Sequence, residues 1–194
     1  GFSGLAIASA YFGACFPDSD WENVGHRYLL QAVRSWEDTL WRPLGLFAGL
    51  SGVAFAADSL SKGGTRYGTL LAKVDGHLAT RVIVQCDLLR QQAPGCSVSQ
   101  FDAISGLAGI GVYLMNRRQN PELAAAHESV LRCFVHLSDE TAGLPRWHSP
   151  PALLDKNMLE RFPSGNINLG LAHGISGPLA LMSKGLNSEI HVAG

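Results

Sequence analysis

The sequence predicts an all-α fold of two helical layers, an α/α barrel or solenoid, and two patterns carry that expectation. A four-residue phrase recurs as Gly1-Phe2-Ser3-Gly4, Gly49-Leu50-Ser51-Gly52, Ala103-Ile104-Ser105-Gly106 and Gly174-Ile175-Ser176-Gly177, each followed by an apolar run rich in alanine and glycine. Between these runs lie segments that mix charges with apolar residues at three- and four-residue spacing. Apolar small-residue helices alternating with amphipathic ones suit an inner ring covered by an outer one. The small residues let inner helices approach closely, and the one-sided helices shield them from water.

In chain order, the run LAIASAYF after Ser3 is the first inner helix, and Trp21 to Leu40 the first outer one. VAFAADSL after Ser51 is the second inner helix; Arg66 to Gln92 is the second outer, with Leu70, Val74, Leu78 and Ala79 at helical spacing. LAGIGVYL after Ser105 and Pro121 to Leu137 form the third pair. PLALMS opens the fourth inner helix, where Pro178 is tolerated because the donors of a first turn are unpaired anyway. The serine of each phrase is expected to be the N-cap, accepting from free backbone N–H groups. Thr141 to Leu169, rich in proline, glycine and tryptophan, is expected to be a long loop. Strand signals are weak, because β-branched alternation is short and no Asn-Gly or Asp-Gly turn separates such runs.

With 46% apolar and 16% charged residues, the chain is expected to bury one core as a single domain over residues 1–194. A net charge of −1 provides no basic field for a phosphate backbone, so nucleic acid is not an expected partner. The most apolar run, Leu44 to Ala57, falls short of the roughly 20 residues that a membrane helix requires. No basic segment precedes the N-terminal apolar stretch, so no signal peptide is expected. The four cysteines, Cys15, Cys86, Cys96 and Cys133, form no CxxC pair and fit reduced thiols of a cytoplasmic protein.

Aligned on the phrase, the preceding residues Ala48, Asp102 and His173 are expected to be equivalent, at one end of the barrel. Packed inner helices lie roughly 8–10 Å apart, which would let Asp102 and His173 share a cleft near helix N-termini. Each has an alternative reading, Asp102 as a cap and His173 as a loop residue; together they suit general acid/base work. Cys133 and His136 share a helix face at i and i+3, a spacing that can pinch a metal, but structural packing is the expected role. Cys86 is expected in the core, and Cys15 and Cys96 in loops beside Pro17 and Pro94. Trp147-His148 either border a substrate cleft or pin their loop, and Asn166 and Asn168 are expected to bond loop backbone.

Three stretches in order, residues 45–52, 101–110 and 168–181, resemble the hallmark motifs of the lanthionine synthetase C-like (LanC) family of stand-alone lanthipeptide cyclases. The resemblance implies an α/α toroid, a double-layer helical barrel of seven helix pairs, of which this chain supplies about the first half. It implies addition of a peptide cysteine thiol to dehydroalanine or dehydrobutyrine, closing a lanthionine thioether ring, with His173 protonating the enolate and Asp102 assisting. It further implies zinc, held by two cysteines and a histidine in the family's C-terminal half. This chain has no Cys-His dipeptide, so those ligands are not expected in it. The implied partners are a dehydrated lanthipeptide precursor and the dehydratase and exporter of a biosynthetic complex; three origins of a half toroid stay open, a truncated chain, a natural split with a second chain completing the toroid, or an orphaned fragment. The implied location is cytoplasmic, with peripheral membrane association through that complex. A half toroid would leave its first and last inner helices apolar and exposed. The rival readings are a non-catalytic scaffold or precursor-binding fragment and a toroidal glycosidase; the latter needs a second carboxylate that the repeat positions do not provide.

Overall fold

The computed structural model describes residues 1–186; residues 187–194 of the expected domain lie outside the described residues. Helices α1 (Phe2–Cys15), α3 (Leu50–Ser59), α6 (Leu107–Asn116) and α9 (Ser176–Leu186) form the inner row. Each of these packs on the next. Helix α2 (Trp21–Glu37) covers α1, α4 (Gly68–Gln91) covers α3, and α7 (Pro121–Ser138) covers α6. The expected alternation of inner and outer helices is therefore present.

Inner helices meet where side chains are small. A Cβ on Gly111 of α6 would lie 2.2 Å from Leu181 Cδ2 of α9, so glycine sets that close approach. The larger core gathers Phe101, Ile110 and Tyr113 with Leu78 and Val82 of α4 and Val130 of α7. A smaller one joins Ala6, Leu29, Val53 and Ala57, and Trp36 and Leu70 touch both. On α1 and α9 the side chains of Leu5, Tyr11, Phe12 and Leu179 are exposed, as the open ends of a two-layer arc require.

The serines are not the caps. Gly49 and Gly106 are the N-caps of α3 and α6, while Ser51 lies inside α3, buried, with its hydroxyl unpartnered. The expected loop is partly ordered. It holds a hairpin of β1 (Glu140–Thr141) and β2 (Leu144–Pro145), a short turn of helix at Pro151–Leu153, and α8 (Lys156–Arg161). The hairpin turns through Ala142 and Gly143, both at positive φ, the geometry that matches strand twist without an Asn-Gly signal. Helix α5 (Val98–Phe101) precedes α6 and ends at Asp102.

Two buried polar features constrain stability. Asp75 of α4, 1% exposed, accepts from Tyr113 Oη at 2.6 Å and from Arg117 at 2.8 Å, and Arg117 also reaches Asp58 of α3 at 2.9 Å. This network ties α3, α4 and the end of α6 together. Replacing Arg117 with methionine strands a buried carboxylate and is expected to cost about 3 kcal/mol by urea unfolding. A loss within experimental error would show the pair to be dispensable.

His127 of α7 is 1% exposed with Nε2 unpartnered. Burial, and secondly the charge of Arg118, push its pKa down to about 4. The unfolded imidazole takes a proton near pH 6.5, so between pH 6.5 and 4 the unfolded chain binds more protons and stability falls as pH falls. The full loss is expected to be about 3 kcal/mol. Urea midpoints from pH 7.5 to 4 should show this slope in the wild type and lack it in His127→Met; equal slopes would remove His127 as its source.

Candidate active site

The loops before the inner helices share one backbone plan, and it corrects the expected register. A Cβ on Gly49 would lie 2.4 Å from the nitrogen of Gly45; on Gly106, 2.5 Å from that of Asp102; on Gly174, 2.4 Å from that of Gly170. Three residues on, a Cβ on Gly52, Gly109 or Gly177 would press on the carbonyls of Leu46, Ala103 and Leu171. The equivalent sets are thus Gly49, Gly106 and Gly174, and before them Gly45, Asp102 and Gly170. His173 is equivalent to Ala48 and Ser105, not to Asp102. The true third phrase is Gly106-Leu107-Ala108-Gly109, displaced from the serine phrase that the sequence suggests. The same crowding explains the glycine caps, since the cap position presses on the preceding backbone.

Asp102 and His173 meet across neighbouring loops. Phe101, fully buried and edge-on to Trp147, anchors the end of α5, so Asp102 enters the loop at a fixed point, itself 1% exposed. Its Oδ1 accepts the backbone N–H groups of Ile104, Ser105 and Gly106 at 3.2, 2.7 and 2.8 Å. Its Oδ2 accepts from His173 Nδ1 at 2.7 Å. One carboxylate thus shapes its own loop with one oxygen and orients an imidazole with the other. The cap reading and the functional reading of Asp102 describe different oxygens.

His173 comes from the loop before α9, which is braced by its own backbone. Asn168 Oδ1 accepts from Gly170 N, the Asn168 carbonyl accepts from Ile175 N, and Ser176 Oγ donates to the Leu169 carbonyl. Adjacent loops are stitched by Ala103 N to the Ala172 carbonyl at 3.0 Å and Phe47 N to the Ile104 carbonyl at 3.3 Å. The His173 side chain is 57% exposed, against 2% for Asp102. A carboxylate only accepts, so the shared proton sits on Nδ1 and Nε2 is the nitrogen left for proton transfer.

The other sequence candidates are structural in this geometry. Trp147 packs on Phe101, the loop-pinning alternative, and the His148 carbonyl accepts from Cys96 N. Asn166 pairs backbone to backbone with Ser149, and Asn168 bonds its own loop. Cys133 is fully buried, and His136, expected to reach solvent, is three-quarters buried, with Nδ1 3.5 Å from Asp139 and Nε2 buried. Cys86 is core as expected; Cys96 lies in its loop but is fully buried, and Cys15 is the exposed last residue of α1 rather than a loop residue. Burial pushes the Cys96 thiol up to about 12 and raises Cys86 as well, the latter helped first by its hydrogen bond with Cys133. Such thiols are poor metal ligands. No group of three or more His, Cys, Asp or Glu among the described residues could hold a metal ion, so these residues do not fit a zinc site.

No helix among the described residues is long and apolar enough to cross a membrane. Among curated proteins none matches in sequence. The structure of nisin cyclase matches with a TM-score of 0.77 at 21% identity, over 95% of this chain and 45% of that one. At that identity the likeness concerns the fold, and the chain spans less than half the length of that structure. The family described as lanthionine synthetase C-like protein matches residues 1–193. With that match over nearly its whole length, the chain belongs to the lanthionine synthetase C-like family.

Proposed function

We propose that this chain supplies the proton-handling part of a lanthipeptide cyclase, closing thioether rings in a dehydrated precursor peptide. The observation that carries the reading is the 2.7 Å contact between a buried carboxylate and an exposed imidazole on adjacent repeat loops. In the reaction a cysteine sulfur bonds to the β-carbon of dehydroalanine or dehydrobutyrine, and the alkene electrons move to the neighbouring carbonyl as an enolate. The proton released by the thiol passes to His173 Nε2, making the ring an imidazolium, and Nε2–H then donates it to the α-carbon, restoring the carbonyl and the neutral ring. Asp102 is almost wholly buried and both its oxygens are engaged, so it is a positioning residue. It holds the proton on Nδ1 and stabilises the imidazolium.

In this reading, a zinc ion would supply the acidity that turns the thiol into a thiolate, and the residues that would hold it are not among those described. No step at the metal is assigned to the residues of this chain. The dehydratase, the exporter and a cytoplasmic location at the membrane belong to the same reading, as does a single partial toroid domain over residues 1–194. A non-catalytic precursor-binding scaffold is the alternative; it explains the fold but not why a buried carboxylate orients an exposed imidazole.

In the zinc-loaded cyclase that contains this chain, His173→Ala is expected to abolish ring closure, read as thioether formation by mass spectrometry, with the thermal midpoint unchanged. Asp102→Asn keeps an oxygen for the three N–H donors but presents an N–H to Nδ1, forcing the other tautomer. It should fold normally and lose about 10²–10⁴ in rate. Asp102→Ala should lose that rate and also about 1–3 kcal/mol of stability, because three backbone donors lose their acceptor. Wild-type cyclisation in His173→Ala, or in Asp102→Asn, would sink the assignment.

A further inference from the structure

The outer helices α4 and α7 pack side by side, but α2 and α4 stand apart above α3 and leave a cavity of about 320 Å³. Its floor is apolar, formed by Val53, Leu70 and Val74, and one wall is the indole of Trp36. That indole is fixed on three sides: Nε1 donates to the Pro43 carbonyl at 2.9 Å, the Arg42 guanidinium lies 5.6 Å from the ring centroid, and His77 meets the ring edge-on. The rim carries Arg42, Lys73 and His77 against a single carboxylate, Glu37. A second cavity of about 260 Å³ shares Trp36 and Val53 with the first and is lined by Phe47 and Ala48. Phe47 is 61% exposed, and its backbone nitrogen bonds the Ile104 carbonyl, in the loop that Asp102 shapes. The two cavities thus abut at Trp36 and Val53, and the second reaches Phe47, whose backbone meets the loop that Asp102 shapes.

We propose that the two cavities are a docking groove for an extended, acidic segment of the peptide substrate, with an apolar side chain seated against Trp36 and a neighbouring carboxylate paired with Lys73 and Arg42. The proposal rests on the cyclase reading for the identity of the peptide, but the groove's preference does not. Apolar floor and basic rim together select a segment that is both apolar and acidic. Continuity with the loop stack selects a chain long enough to reach His173 rather than a small molecule. Binding energy gained at such a distance holds the reacting segment at the site without taking part in the chemistry.

The test is fluorescence anisotropy with a fluorescein-labelled synthetic peptide carrying Phe between Asp and Glu. Its counterparts have lysines for the acids, or serine for Phe. The chain is expected to bind the first peptide and to bind each counterpart at least about tenfold more weakly. Lys73→Glu and Arg42→Glu, both changes at exposed side chains, should each weaken binding about tenfold, and added salt should erode the difference. Val33→Trp, which fills the outer cavity, should remove binding while thermal melting confirms the fold. Equal binding of all three peptides, no binding of the first, or indifference to both charge reversals would overturn the groove. In ring-closure assays, Lys73→Glu should raise KM for a precursor and leave kcat within about twofold. Acidic-peptide binding that survives alongside undiminished ring closure in His173→Ala would instead remove the proton-donor assignment of His173 and leave the groove standing.

Discussion

The bond between the Asp102 carboxylate and the His173 imidazole depends on a prior one, the same carboxylate folding its own loop. A buried charge persists only if its lone pairs are satisfied, and Asp102 meets that condition with three backbone N–H groups and one ring nitrogen. The donors arise because the chain doubles back between α5 and α6, and it does so tightly only because Gly106 has no side chain to strike the nitrogen of Asp102. Loop shape, carboxylate burial and imidazole orientation are therefore one cooperative unit.

The repeat supplies the frame on which that unit sits. Three loops follow one backbone plan, yet the ionisable residues occupy different places in it: Asp102 at the start of its loop, His173 near the end of the next. Two residues at the same repeat position would be separated by a full interhelical spacing of roughly 8–10 Å. Offset positions on adjacent loops, drawn together by the Ala103 to Ala172 backbone bond, bring the side chains within hydrogen-bonding range. The offset is what makes the contact possible.

The sequence made the long elements legible and left their junctions obscure. Outer helices expected at Trp21–Leu40, Arg66–Gln92 and Pro121–Leu137 occur at Trp21–Glu37, Gly68–Gln91 and Pro121–Ser138, because one-sided periodicity survives any register. The pairing of Asp102 with His173 was legible too, but through an alignment that the structure corrects. Ala103-Ile104-Ser105-Gly106 and Gly106-Leu107-Ala108-Gly109 both fit the phrase, and only backbone crowding distinguishes them. The serine caps failed for the same reason. The Asp75 network and the Trp36 groove carried no readable motif, since Asp75 and Tyr113 are 38 residues apart and the groove is a gap between helices.

The exposure of the candidate site now takes on meaning. Around His173 the side chains of Leu169 and Leu171 are more than two-thirds exposed, and Leu179 of α9 is also open. An enolate in open water would take its proton from solvent, without the stereochemical control that a fixed donor gives, so the proposed chemistry requires this side to be covered. In the cyclase reading the cover would be the remaining repeats together with the bound peptide, which the groove at Trp36 would hold. Asp102 fixes the ring where both would meet it. In that reading the site would join the face that carries Asp102 and His173 to a closing face that would bring the thiol.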